Sequence, residues 1–176
     1  METMVLRIFQ REVERQCKFA LIANQDLNQA LKGRDMDRIW YSVQALLVAA
    51  GNISKLLWPS REGLLPERGN ELRASISVED CSPLEPRTFR NHFEHFDERL
   101  ERWASSSRRR NFADSNVGPP GMIVGLEPED YLRNFDTDNF AVTFRGDRYL
   151  LESLVNSIHG LWQKAKEEAQ KPHWEQ

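Results

Sequence analysis

The strongest constraint on the fold lies in the first 57 residues. From Val5 to Leu31 the apolar residues Val5, Phe9, Val13, Cys17, Ala20, Leu27 and Leu31 recur at spacings of three, four or seven. At about 100° per residue they share one face, which predicts one long amphipathic helix. Gly33 is placed to stop it, and Asp35 and Asp37 supply the negative charge that a new helix start favours. A second helix is predicted from about Met36 to Leu57, with Ile39, Trp40, Val43, Leu46, Leu47, Ala50 and Leu57 as its main stripe. Ala45, Val48 and Ala49 make its back apolar as well. A helix apolar nearly all round is central in its bundle or pressed against a second subunit. Trp58-Pro59 ends it.

Residues 59–87 hold six Pro or Gly, which predicts a connector with at most a short helix around Asn70–Val78. A third long helix is expected from between Pro83 and Thr88 to about Ser105, with Phe89, Phe93, Phe96, Leu100 and Trp103 as its core stripe. An irregular loop follows at Gly118-Pro119-Pro120-Gly121. Tyr131–Phe135 and Phe140–Phe144 flank Asp136-Thr137-Asp138-Asn139 and predict a β-hairpin, with Gly146-Asp147 as the next turn. The last helix is expected from about Arg148 to Gln170. The fold class is therefore all-α: an antiparallel bundle of four to five helices in a single domain, 1–176, with an irregular hairpin insert at about 106–147.

Composition narrows the function. The 176 residues are 40% hydrophobic and 29% charged, as in a folded globular chain. A net charge of −3 excludes a protein that grips nucleic acid by bulk positive charge, but not an enzyme with a small basic site. The two cysteines, Cys17 and Cys81, are too few for a disulfide scaffold and suit a reducing compartment. No zinc-type Cys/His spacing occurs, so no metal site or cofactor is expected. The longest apolar run, Ala45–Ala50, is far short of a membrane span, and Met1–Ala20 is too charged for a signal-peptide core. A cytoplasmic protein without a membrane partner is the expectation.

The chemistry concentrates in Phe89-Arg90-Asn91-His92-Phe93-Glu94-His95-Phe96. On a helix with Phe89 at zero, Arg90 lies near 100°, Asn91 near about 200° and His95 near about 240°. Asn91 and His95 are thus one turn apart, turned away from the core stripe, with Arg90 alongside. A histidine can take and return a proton near neutral pH, and an arginine offers a planar cationic fork for phosphate. Together they suffice to cleave RNA through its own 2′-hydroxyl: one moves the proton, the other stabilises charge at phosphorus. DNA lacks that nucleophile.

Arg90-Asn91-x-x-x-His95 resembles the motif of the HEPN superfamily, an arginine, four to six residues, then a histidine, with a polar residue directly after the arginine. The resemblance covers about 85–105. It implies a four- or five-helix bundle and a metal-independent ribonuclease, with Arg90 and His95 catalytic and Asn91 supporting. It further implies a homodimer whose two motifs share a cleft, RNA as substrate, and an antitoxin protein as a possible partner, since many members are toxins or antiphage effectors. Other members are non-catalytic modules that bind a nucleotide or a protein.

Plainer roles compete for each residue. Arg90 can pair with Glu94 or Asp97 on the helix surface, worth a few tenths of a kcal/mol at most. His92 and His95 at i,i+3 lack a third metal ligand. His92 is a secondary candidate for substrate contact. Arg108, Arg109 and Arg110 form either a solvated charge cluster or a contact to the RNA backbone. Asn24 falls within the first helix's apolar stripe and needs hydrogen-bond partners. The domain can also be read as a helical adaptor whose motif helix is ordinary surface.

Overall fold

A computed structural model describes residues 1–59, 65, 67–78, 81–86, 95–106 and 110–172. Helix makes up 62% of the structure. Its packing divides the chain into two compact units, 1–87 with 154–176, and 88–153.

The first unit is built on α1 (Thr3–Gly33) and α2 (Met36–Leu57), which pack along their length. Val13, Cys17, Ala20 and Leu27 of α1 and Leu46, Ala50 and Leu57 of α2 are fully buried, as the periodicity predicts, and Ile53 joins them. The link between the helices is two residues. Arg34, not Gly33, adopts the left-handed conformation (φ 53°), and its N–H and that of Asp35 donate to the carbonyls of Leu31 and Ala30. This double bond pattern closes α1 in a Schellman turn, while Asp35 caps α2 by accepting from the Arg38 N–H at 3.1 Å.

The short helix α3 (Arg68–Ser75) starts against the end of α2. A Cβ at Gly69 would lie 2.6 Å from Pro59 Cδ and 2.7 Å from the Leu57 carbonyl, so only glycine permits that approach. A polar knot joins three elements. Arg7 of α1, nearly fully buried, donates to Gln10 at 2.7 Å and to Glu168 at 3.4 Å, and Gln10 donates to Ser75 at 3.0 Å.

The second unit holds α4 (Phe96–Ser106) and four strands, β1 (Asn116–Val117), β2 (Arg133–Asp136), β3 (Ala141–Phe144) and β4 (Asp147–Leu150). The order is β1-β2-β3-β4, with β1 parallel to β2 and the other pairs antiparallel. Phe135 pairs with Val142, and Ala141 with Leu150. The expected hairpin is present as β2 and β3. Its turn is held by Asp136, whose carboxylate accepts the backbone N–H groups of Asp138 and Asn139 at 3.1 and 3.2 Å.

The chain is therefore not all-α: the hairpin belongs to a four-stranded mixed sheet. The last helix, α5 (Leu151–Gln170), begins three residues later than expected. The reason is the next turn, which falls on Arg145 and Gly146 instead of Gly146-Asp147. Both have positive φ (47° and 91°), the geometry of a two-residue I′ hairpin, and it turns 147–150 into a strand. An arginine at the first left-handed position is an uncommon choice, so the sequence hides this turn.

Candidate functional site

The site has to be built around His95. Arg90, Asn91, His92, Arg108 and Arg109 lie outside the described residues, as do residues 87–94 of the expected motif helix; residues 83–86, where that helix was allowed to begin, are described and are not helical. Of the proposed site residues, His95 and Arg110 are described.

His95 sits at the start of α4, its carbonyl accepting the Arg99 N–H at 3.1 Å. The next residue, Phe96, anchors that end of the helix. Its ring meets Phe144 edge-on at 6.3 Å, and the Arg133 guanidinium lies over it at 5.2 Å. Arg133 is in turn fixed by a two-pronged bond to Asp114, at 2.8 and 2.5 Å. Burial works to raise the Asp114 pKa, but bonding and charge from Arg133, with help from Ser115, overcome it and hold the carboxyl below its ordinary value. At the far end Trp103 packs with Leu132 and Phe144, and its indole N–H donates to the Asp130 carbonyl at 3.1 Å. Leu100, expected in the core stripe, is 40% exposed. The helix is clamped by its two ends, so its middle face need not be buried.

Held in this way, the His95 side chain is 55% exposed, and its Nδ1 lies 3.3 Å from Glu98 Oε1, one turn along. Glu98 also accepts from Arg102 at 3.4 Å. A carboxylate at Nδ1 orients the ring and leaves Nε2 for proton exchange with a substrate. The sequence reading did not single out Glu98, although the i,i+3 spacing from His95 was there to find it. Arg110 is exposed, with a left-handed backbone (φ 56°). The eleven residues of α4, about 16 Å at 1.5 Å each, lie between it and His95 in the chain.

Elsewhere the structure refines other candidates. The Oδ1 of Asn24 is buried without a hydrogen-bond partner. His159 is exposed and stands against Trp162 at 6.1 Å. Among the described residues no group of three His, Cys, Asp or Glu side chains is arranged to hold a metal ion, and no helix is long and apolar enough to cross a membrane. Comparison with protein-family models, curated proteins and solved structures finds no match.

Proposed function

We propose that this protein is a metal-independent endoribonuclease of the HEPN type. The observation that carries the reading is the exposed His95 at the head of a firmly anchored helix, its Nδ1 against Glu98, five residues after Arg90 in the motif pattern. In this reading Nε2 of His95 accepts the proton of a substrate 2′-hydroxyl. The resulting oxygen attacks the adjacent phosphorus, the bond to the 5′-oxygen breaks, and that oxygen leaves with a proton. The products are a 2′,3′-cyclic phosphate and a 5′-hydroxyl end. Arg90 balances the charge that builds on the phosphoryl oxygens, and Asn91 supports the site. His92 and Arg108–Arg110 contribute contacts to the RNA. The active site lies in the cleft of a homodimer, in the cytoplasm, and the activity is that of a toxin or antiphage effector held in check by an antitoxin.

The test is RNA cleavage in excess EDTA by the wild type, Arg90→Ala and His95→Ala. The wild type cuts, and each variant loses activity by roughly 10²–10⁴-fold, the usual contribution of a positioned proton-transfer or charge-stabilising group. A wild type inactive in EDTA, or a His95→Ala variant that cuts as well as the wild type, overturns the proposal. RNA binding that depends on Arg90 but not on His95, with no cleavage, would identify a non-catalytic binding module instead.

A further inference from the structure

Charge is sorted around α4. With His95 at zero, Phe96 and Trp103 fall near about 100° and 80°, on the side that packs against Leu132 and Phe144. Asp97 and Glu101 fall near about 200° and 240°, on the far side. Arg99 and Arg102 fall near about 40° and −20°, to either side of His95. The three residues His95, Arg99 and Arg102 thus form one strip, about 10 Å long, along the helix.

The two arginines are not used up by the fold. Arg102 is 62% exposed, and its bond to Glu98 is a loose 3.4 Å. Arg99 is partly buried, and the positions one turn before and after it are His95, Phe96, Arg102 and Trp103. None is a carboxylate, and among the described residues the Arg99 side chain makes no ion pair or hydrogen bond. A guanidinium partly out of water and one turn from another is unfavourable until an anion answers both. The far end of the helix adds a ring. Phe112 stands edge-on to Trp103 at 5.0 Å and is 46% exposed. Trp103 is itself fixed by its bond to the Asp130 carbonyl, so Phe112 is an aromatic surface held in place.

We infer that α4 carries a binding track for a single strand of RNA, in which Arg99 and Arg102 hold phosphates next to the one at His95 and a base stacks on Phe112. The inference rests on the ribonuclease reading above for its substrate. The steps along the strip, about 6 Å to Arg99 and about 4.5 Å more to Arg102, suit two long side chains reaching neighbouring phosphates of one backbone. The exposed ring selects the strand: a duplex keeps its base faces stacked, whereas an unpaired base is free to lie on an aromatic. An acidic peptide could answer the arginines but brings no base to Phe112.

Fluorescence anisotropy on the full chain tests this, with a labelled 2′-O-methyl oligouridine of about twelve nucleotides. That probe cannot be cut, so binding is read apart from cleavage. Arg99→Gln and Arg102→Gln each weaken binding by roughly two- to fivefold, the worth of one exposed ion pair. Each also lowers the slope of log affinity against log salt by about 0.7, the loss of one phosphate contact. Phe112→Ala weakens binding by roughly five- to a hundredfold and leaves that slope unchanged. Glu101→Gln, on the far side, does not weaken it. A wild type that does not bind the probe at low salt overturns the inference, as do arginine variants with the wild-type slope. Polyglutamate competing as well as the RNA, or a Phe112→Ala variant that binds like the wild type, also overturns it. Binding with these dependences but no cleavage in EDTA leaves the track standing and removes the ribonuclease. Cleavage that needs His95 but is bound alike by all four variants removes the track alone.

Discussion

Cys17 and Cys81 have opposite environments, and the difference is measurable. Cys17 is fully buried in α1, and burial, with a smaller contribution from nearby Glu14, pushes its thiol up to about 12. Cys81 is exposed. A thiol reagent at neutral pH is expected to label one cysteine per native chain and both after denaturation, as counted by mass spectrometry. Asp136 is the other residue whose surroundings set its behaviour. Its side chain is fully buried, which by itself raises its pKa. The Asn139 side chain at 2.8 Å, the two backbone N–H groups and Arg148 at 3.0 Å reverse that effect and hold the carboxyl below its ordinary value. A depressed folded-state pKa contributes stability that is present above the unfolded value and lost as the pH falls through the folded one. Asp136→Ala is therefore expected to cost about 1–3 kcal/mol at neutral pH, with the gap to wild type closing below about pH 4. Urea denaturation across that range checks both the size and the sign.

Among the elements, the α1–α2 turn makes a separate prediction. Its left-handed position is held by Arg34, while the neighbouring Gly33 spends its conformational freedom inside the helix. Arg34→Gly is expected to raise stability by about 0.5–1 kcal/mol in the same denaturation assay, since a non-glycine residue is strained there. The sequence put the stop at the right place but on the wrong residue: glycine preference is a statistical guide, whereas the Schellman bonds select a position by geometry. The same lesson applies to β4. Leu150 has the right spacing to join the helical stripe of Leu151, Leu154 and Ile158. The I′ turn at Arg145-Gly146 instead draws 147–150 into the sheet, where Leu150 is 54% exposed. A local pattern that fits both helix and strand is resolved by pairing partners, which a single segment does not carry.

For the whole molecule, the proposed chemistry imposes a condition on the substrate as strict as any on the protein. If His95 activates a 2′-hydroxyl, an RNA carrying a single 2′-deoxy sugar at the cut position is expected to bind with near-normal affinity and resist cleavage there. An equivalent DNA should be inert. Product analysis on a denaturing gel with end-group chemistry checks both outcomes. The slight acidity of the chain is compatible with this, because phosphate recognition depends on where a few cations sit and not on the total.

The sequence alone determined where α1, α2 and most of α5 run, since each long amphipathic stripe needs only its own 3.6-residue period to be read. It also placed the β2–β3 hairpin, whose Asp-rich turn advertises itself, and it singled out Arg90, Asn91 and His95 by residue chemistry and spacing. Tertiary structure decided what depends on partners distant in the chain. It buried Arg7 by giving it Gln10 and Glu168, and it left Leu100 exposed by clamping α4 at Phe96 and Trp103. It extended the hairpin to a four-stranded sheet and left Phe19, Ile22, Tyr41 and Val48 exposed on α1 and α2. Periodicity reports which side of an element is apolar; only packing reports which apolar side is already covered.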